Sequence, residues 1–204
     1  MAAFVRIASP DDAPKILEIY APYILETSIS FEMNVPTVAE FQNRMQHYLQ
    51  RFPWIICEVN GQTAGYVYAS LYREREAYQW NCECSAYLSN KFRGKGIAAI
   101  LYNALFDILK KQRIINVYAG ITLPNPASQR FHEKCGFKQF ALYKNVGYKF
   151  GKWHDVGWWE LQLNPHDPKP APLLLFPRMD QSTINPILKN AAQSIDQLMD
   201  LQTD

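Results

Sequence analysis

A glycine-rich turn between a strand and a helix constrains this chain more than any other feature of its sequence. The turn is Arg93-Gly-Lys-Gly-Ile-Ala98, and it joins an extended segment ending at Leu88 to apolar residues at helical spacing. Glycines let backbone N–H groups approach a ligand closely, and a helix N-terminus adds partial positive charge. We therefore expect a pyrophosphate to bind here; a tight turn with solvated basic residues is the alternative.

The residues around the turn exclude two other phosphate-binding motifs. A P-loop needs Ser or Thr directly after its Gly-Lys pair, whereas Gly96 follows Lys95 in this chain. The dinucleotide fingerprint GxGxxG is also absent from the sequence of the turn. The turn therefore belongs to neither of these nucleotide-binding classes.

The spacing of apolar residues on both sides of the turn predicts an α/β domain with a mixed sheet packed by helices. The segment Asn60-Gly61 between two apolar runs predicts a hairpin of antiparallel strands. In the strand before the turn, alternation places Glu83 on the polar face, opposite Cys82 and Cys84. We expect strands at residues 4–7, 54–59, 64–71, 78–88, 117–121, 137–143 and 155–163, and helices beginning near residues 10, 37, 97 and 125.

Composition limits the partners and the compartment. The 21 Lys and Arg residues and 19 Asp and Glu residues leave a net charge of +2, which disfavours nucleic acid as a partner. No apolar run approaches the roughly 20 residues of a membrane span, and the N-terminus lacks a signal-peptide pattern, so we expect a cytoplasmic protein without membrane contact. The four cysteines have no metal or disulfide spacing, so we expect no metal and reduced thiols.

The character of the chain changes after Leu163. Five prolines and no glycine lie between residues 165 and 177, which predicts a stiff extended linker. An apolar stripe after Asn185-Pro186 predicts an amphipathic helix that docks on the body or on a partner subunit. We expect a catalytic domain at residues 1–164 and an extension at residues 165–204.

These motifs together resemble the Gcn5-related N-acetyltransferase (GNAT) superfamily. The acyl-CoA signature of that superfamily is met by Arg93, Gly96 and Ala98. Segments 83–88, 119–121, 132–137 and 146–155 resemble the phosphinothricin N-acetyltransferase group, and the resemblance covers about residues 3–163. It implies a largely antiparallel central sheet of about seven strands flanked by about four helices. It also implies an acetyl-CoA-dependent N-acetyltransferase that forms a homodimer.

The resemblance also implies where acetyl-CoA binds. The backbone at the end of the strand before the turn would bond the pantetheine arm, and the turn itself would cradle the pyrophosphate. One asparagine further along the chain would bond the cofactor near its thioester. The implied residues are Ala86, Tyr87, Leu88, Arg93, Gly94, Lys95, Gly96, Ile97, Ala98, Ala99 and Asn125.

Two residues match catalytic positions of the family. Glu83 would take a proton from the attacking amine, because amide formation by direct attack needs an unprotonated nitrogen. His132 lies at a position where this group has histidine. We assign to it, as a hypothesis, the role of proton donor to the departing thiolate. The alternatives are that Glu83 is a structural carboxylate paired with Arg73 or Arg75, and that His132 is a packed or solvated helix residue.

Substrate recognition is implied by the segment Tyr72–Tyr78. Arg75 is the candidate for the acid group of a small amino acid or analogue, because a guanidinium binds such an acid bidentately, and Tyr78 lies beside it. Phosphinothricin and methionine sulfoximine are the type substrates of the resembling group. Glu76 and Gln79 depart from the pattern of that group, which leaves the substrate open. Aromatic residues Phe31, Tyr72, Tyr78 and Trp80 are candidates for the pocket walls, with ordinary packing as the alternative.

Two other functions remain open on the sequence. The same chemistry on another amine, such as a polyamine, an aminoglycoside or a peptide N-terminus, is the first. The arginines near the predicted pocket argue against polyamines. A CoA-binding module without catalysis is the second, and the intact Glu83 and glycine turn speak against it.

Overall fold

Seven strands pair into one sheet in the computed structural model, which describes residues 2–201. The spatial order is β1-β2-β3-β4-β5-β7-β6, and every neighbouring pair is antiparallel except β4 and β5. This confirms the predicted mixed, largely antiparallel sheet. The strands are β1 Ala3–Ile7, β2 Trp54–Val59, β3 Gln62–Leu71, β4 Asn81–Leu88, β5 Asn116–Leu123, β6 Lys138–Lys149 and β7 Lys152–Gln162.

Five α-helices accompany this sheet in the described chain. The start of α2 follows from a capping box, because Thr37 Oγ1 accepts from the Glu40 N–H at 3.3 Å and the Glu40 carboxylate accepts from the Thr37 N–H at 2.8 Å. A short 3-10 turn, Pro10–Asp12, leads directly into α1. The helices are α1 Ala13–Glu26, α2 Val38–Leu49, α3 Ile97–Lys111, α4 Pro126–Lys134 and α5 Gln181–Asp200.

The two faces of the sheet are covered by different helices. On one face, α1 and α2 pack on aromatic residues of β2 and β3, where Trp54 and Tyr68 stack with ring centroids 4.1 Å apart. On the other face, α3 and α5 cover the larger cluster, which contains Cys82 and Cys84 of β4. The predicted alternation along β4 is therefore confirmed, and Glu83 lies on the face opposite these cysteines.

The last two strands are longer than the sequence predicted. β6 continues to Lys149 and β7 begins at Lys152, with an irregular register between Tyr143 and Gly147. Asn145 adopts a φ of 50° at this irregularity, and its N–H bonds Asp155 Oδ1 at 2.7 Å. In the sequence, the polar residues after Tyr143 predict the end of a strand. In the structure they form a bulge, after which β6 pairs with β7 again.

A buried lysine fixes the loop between α1 and α2 to this hairpin. Lys149 is 2% exposed, and its Nζ donates to the carbonyl oxygens of Ile24 and Ser30, each at 2.6 Å. Nearby, a Cβ at Gly147 would overlap the ring of Phe31, so glycine is what lets the loop approach so closely. The loop between α1 and α2 is therefore held by β6 rather than left free.

The proline-rich segment after β7 is fastened to the body. The Leu174 N–H bonds the Gln112 carbonyl at 3.1 Å, and Gln112 Nε2 returns a bond to the Leu174 carbonyl at 2.9 Å. Trp80 Nε1 donates to the Ala171 carbonyl at 2.9 Å. We call residues 164–176 the strap. The segment is extended, as predicted, and it is bonded along the end of α3.

The final helix begins earlier than predicted. It starts at Gln181 rather than at Asn185, because the Asp180 side chain caps it by accepting from the Ser182 N–H at 2.8 Å. Pro186 lies inside the second turn, where its lack of an N–H removes the usual backbone bond to the Ser182 carbonyl. The predicted docking is observed on the body, since α5 packs against α3 and β1. Among the helices of residues 2–201, none has the length and apolar character needed to cross a bilayer.

Candidate active site

A gap opens in the sheet where β4 and β5 diverge. These parallel strands are paired only at Asn81, Cys82 and Glu83, opposite residues 116–118. Beyond that point β4 continues beside β3 alone, and β5 continues beside β7 alone. Each strand therefore presents a backbone edge to the gap, and an extended ligand with amide groups can bond such an edge as a further strand would.

The three predicted pantetheine-binding residues of β4 are not equivalent at this edge. The Leu88 C=O accepts from the Tyr23 hydroxyl at 2.8 Å, and the Leu88 N–H donates to the same oxygen at 3.2 Å. Because backbone groups alternate along a strand, those of Ala86 face the same way as those of Leu88, and those of Tyr87 face β3. Ala86 thus presents an open edge, Leu88 is bonded to Tyr23, and the expected backbone bond from Tyr87 does not fit this register.

The glycine turn has the conformation that its sequence predicts. Gly94 and Gly96 have φ values of 73° and 84°, in the left-handed region that glycine adopts readily. Gly96 is the N-cap of α3; its carbonyl accepts from the Ala99 N–H at 3.1 Å, so the N–H groups of Ile97 and Ala98 are the ones that precede the first bond within the helix. Arg93 Nε donates to the Tyr23 hydroxyl at 3.2 Å, and the guanidinium lies 4.4 Å from that ring. Arg93 is nonetheless exposed, so the backbone of the turn and the Arg93 side chain are both accessible to an anion.

Asn125 lies at the far side of the gap, after β5. Its Oδ1 accepts from the Ser128 N–H at 3.1 Å and so caps α4. A cleft of about 620 Å³ lies beside it, and Thr122, Arg130 and His154 also line this cleft. The capping bond fixes the Asn125 side chain at the cleft wall, where a ligand in the gap can meet its amide.

Glu83 lies where β4 and β5 separate, and its carboxylate is unusually placed for an acidic group. The side chain is half-buried, and within the described chain it makes no hydrogen bond and no ion pair. Burial raises the pKa of Glu83 to about 7, and the charge of Arg73 works in the opposite direction. The ion pair with Arg73 or Arg75 that was the structural alternative is not formed. A carboxylate with a pKa near neutrality is suited to accept a proton from an amine.

Aromatic side chains surround Glu83 on its face of the sheet. Tyr118 is its register partner on β5, and Tyr72 stacks on Tyr118 with centroids 4.4 Å apart. The Arg73 guanidinium lies 5.1 Å from the ring of Tyr72 and 5.9 Å from that of Tyr78. The sequence named Arg73 only as a possible ion-pair partner of Glu83 and did not identify Tyr118, because the register of β4 on β5 cannot be read from local patterns.

The other substrate candidates lie in different surroundings. Arg73 and Arg75 are both exposed; Arg75 precedes the 3-10 turn Glu76–Tyr78, and its guanidinium bonds none of the described residues. Trp80 Nε1 donates to the strap, and its side chain also lines a cleft of about 430 Å³ together with Tyr72, Tyr78 and Tyr118. The structure thus brings Arg73, rather than Arg75, under the electrostatic influence of Glu83.

His132 lies in a closed aromatic environment and is 7% exposed. Its Nδ1 lies 2.8 Å from the Ser128 carbonyl and must donate to it, so Nε2 of the neutral ring accepts from the Tyr102 hydroxyl at 3.3 Å. Burial lowers the pKa of His132. A neutral ring in this arrangement has no proton on Nε2, so the geometry favours the packing alternative over the predicted acid role.

Within residues 2–201, no three His, Cys, Asp or Glu side chains are grouped so that they could hold a metal ion. The site is thus composed of a backbone edge, a glycine turn, one unpaired carboxylate and an arginine beside aromatic rings.

Known proteins resemble this chain in sequence and in fold. The sequence model described as "Acetyltransferase (GNAT) domain" matches residues 5–158. The chain belongs to the GNAT acetyltransferase family. Phosphinothricin N-acetyltransferase of Streptomyces viridochromogenes is 33% identical over 168 residues, which are 82% of this chain and 92% of that protein. The L-methionine sulfoximine/L-methionine sulfone acetyltransferase of Salmonella typhimurium is 32% identical over 166 residues, 79% of this chain and 95% of that protein.

A solved structure shows the same fold. The GNAT phosphinothricin acetyltransferase of Sinorhizobium meliloti, in complex with AcCoA, superposes with a TM-score of 0.80 at 31% identity and covers 87% of this chain and 97% of its own. The protein is therefore a GNAT N-acetyltransferase of the phosphinothricin acetyltransferase-like group. The GNAT match ends at residue 158, so the strap and α5 lie outside it.

Proposed function

We propose that this N-acetyltransferase uses acetyl-CoA to acetylate the α-amino group of a small amino acid or amino acid analogue. The observation that carries the proposal is Glu83, an unpaired carboxylate with a pKa of about 7 at the point where β4 and β5 separate. The phosphinothricin and methionine sulfoximine acetyltransferases that the chain resembles support this substrate class.

The residues present fit acetyl-CoA. The open backbone edge at Ala86 suits the pantetheine amides, the turn from Gly94 to Ala99 suits the pyrophosphate, and the amide of Asn125 suits the groups near the thioester. The backbone N–H and C=O of Leu88 can bind the pantetheine arm only if they release the Tyr23 hydroxyl. When bound, acetyl-CoA supplies an acetyl group activated as a thioester.

Glu83 acts on the substrate amine. An α-ammonium group is protonated at neutral pH and has no lone pair, so its proton must leave before a bond to carbon can form. The ionised Glu83 carboxylate takes this proton, directly or through one water, and holds it while the amine attacks. Partial burial disfavours the charged form of the carboxylate and so raises the pKa of Glu83. The Glu83 carboxylate is therefore a stronger base than that of an exposed glutamate.

Arg73 orients the substrate. Its guanidinium lies over Tyr72 and Tyr78 near Glu83, where it can bind a carboxylate or phosphinate bidentately while the amine meets Glu83. Holding both groups at once places the amine for attack and favours α-amino acids over polyamines, which have no acid group. We assign to Arg73 the role that the sequence predicted for Arg75.

The expected homodimer has a suitable surface on the β6–β7 hairpin. β6 is an edge strand of the sheet, and an exposed apolar edge pairs readily with a second copy about a twofold axis. We propose that a partner subunit covers it. The apolar residues are Phe140, Leu142, Tyr143, Val146, Tyr148, Phe150 and Trp153, which are between 43% and 61% exposed. Val146→Asp should then yield monomers in sedimentation velocity, and a monomeric wild type would refute the dimer.

One assay tests the enzymatic proposal. The protein is mixed with acetyl-CoA and each amine of a panel, and free thiol is recorded over time. We expect turnover with phosphinothricin, methionine sulfoximine or methionine sulfone, and much less with spermidine, an aminoglycoside or a peptide. Turnover confined to the second group would replace the proposed substrate class. Saturable binding of acetyl-CoA without turnover on any amine would favour the non-catalytic module.

A further inference from the structure

The end of the tail helix lies on the phosphate turn. A Cβ at Gly96 would come within 3.0 Å of Leu198 Cδ2, so the leucine side chain fills the space that the glycine leaves. Leu198 is half-buried and belongs to α5, outside the matched GNAT domain. This contact joins residues that are about a hundred positions apart in the chain.

Further contacts along the tail hold Leu198 beside Gly96. The strap is bonded to Gln112, just after the end of α3, and Leu198 meets Gly96 at the start of α3. The helix α5 therefore packs on α3 and runs in the opposite direction. The last turns are pinned from the other side, because Asp196 Oδ1 accepts from the Ala3 N–H of β1 at 2.7 Å.

We propose that Leu198 is a positioning residue for acetyl-CoA binding. Its side chain supports Gly96 in the left-handed conformation and holds the turn closed on its outer side, so that the first N–H groups of α3 are preorganised for the pyrophosphate. The tail thereby sets the affinity for the cofactor without touching the reacting atoms. The proposal rests on the proposed use of acetyl-CoA.

The first test compares two half-buried aliphatic residues on the same helix. Leu198→Ala and Ile187→Ala each shorten a side chain of α5, but their positions are about 16 Å apart along the helix axis. We expect Leu198→Ala to raise the Kd and the KM for acetyl-CoA by about fivefold or more, with kcat and the KM for the amine unchanged. Ile187→Ala should leave all four constants unchanged and only lower Tm.

A second pair of variants keeps the proposal testable if Leu198→Ala fails to fold. Leu198→Lys and Leu198→Glu both replace the leucine with a longer polar side chain, and they are opposite in charge. Beside a bound pyrophosphate, the Glu variant should bind acetyl-CoA about fivefold or more weakly than the Lys variant at low salt, and the ratio should shrink as salt is added. The same pair at Ile187 should give a ratio near one.

The outcomes separate this inference from the proposed function. Isothermal titration calorimetry with acetyl-CoA gives Kd, and steady-state kinetics gives the other constants. Wild-type affinity in a folded Leu198→Ala variant, or tighter binding by it, would overturn the positioning role and leave the proposed function standing, and so would equal affinities of the Lys and Glu variants. A folded wild type that binds no acetyl-CoA would overturn the proposed function and this inference with it.

Discussion

Replacing Glu83 with glutamine should make the enzyme slower and the fold more stable, and the two effects should depend on pH in linked ways. The folded-state pKa of about 7 lies above the ordinary value of 4.5. Between these values the folded chain binds more protons than the unfolded chain, so the free energy of unfolding falls as pH rises through this window. The ionised Glu83 carboxylate therefore lowers the free energy of unfolding by its full amount only above pH 7.

The size of the effect follows from the shift. Each pKa unit corresponds to about 1.4 kcal/mol, so 2.5 units would cost at most about 3.4 kcal/mol at pH 8. Relaxation around a half-buried group reduces this, and we expect Glu83→Gln to raise the free energy of unfolding by about 2–3 kcal/mol at pH 8 and by under about 1 kcal/mol at pH 5. The corresponding rise in Tm at pH 8 is roughly 5–10 °C.

Activity should change in the opposite direction. We expect Glu83→Gln to lower turnover by about 10²-fold or more at neutral pH, because the amide cannot take the proton of the amine. For the wild type, kcat/KM should rise with a midpoint near pH 7, so that at pH 6 it is about a tenth of its plateau.

The assays are urea unfolding at pH 5 and pH 8 and thiol release across the same range. Glu160→Gln is the matched control, since Glu160 is an exposed glutamate on β7 opposite Tyr118; it should change neither quantity appreciably. A Glu83→Gln variant that is less stable than the wild type at pH 8 would contradict the unpaired, half-buried carboxylate. Unchanged turnover at neutral pH would remove the role of Glu83 as the base.

Three further predictions test the surroundings of the site. Lys149→Met should lower the free energy of unfolding by about 3 kcal/mol, because it leaves two buried carbonyl oxygens without a donor, whereas Lys152→Met on the exposed turn should have little effect in urea unfolding. Arg73→Gln should raise the KM for the amino acid about tenfold or more in steady-state kinetics, and Arg75→Gln should not; the reverse result would restore Arg75. His132→Gln should lower kcat by less than about fivefold and leave the pH profile unchanged, whereas a loss of about 10²-fold would restore its acid role.

The local features of this protein could be predicted from the sequence. The hairpin at Asn60-Gly61, the cap at Thr37 and the left-handed glycines of the turn depend on residues that are close in the chain, so their patterns are complete within a few positions. The alternation along β4 likewise placed Glu83 opposite Cys82, because the strand period is two. Together with the motif resemblance, these patterns were sufficient to predict the fold class and the candidate base.

Contacts between distant segments could not be predicted in this way. The contact of Leu198 with Gly96, the bonds of Leu88 to Tyr23 and the closed environment of His132 each join elements far apart in sequence. The lengths of the last strands were also missed, since a bulge is defined by pairing with the opposite strand.

By itself, the sequence determined the elements, the glycine turn and the residue type at each motif position, because helix and strand periodicity and backbone sterics act locally. Only the tertiary structure decided that the Glu83 carboxylate stands unpaired, that Arg73 rather than Arg75 is its charged neighbour, and that the tail ends on the phosphate turn. The physical reason is that burial and electrostatic coupling depend on distances set by strand register and helix packing, which no local pattern encodes.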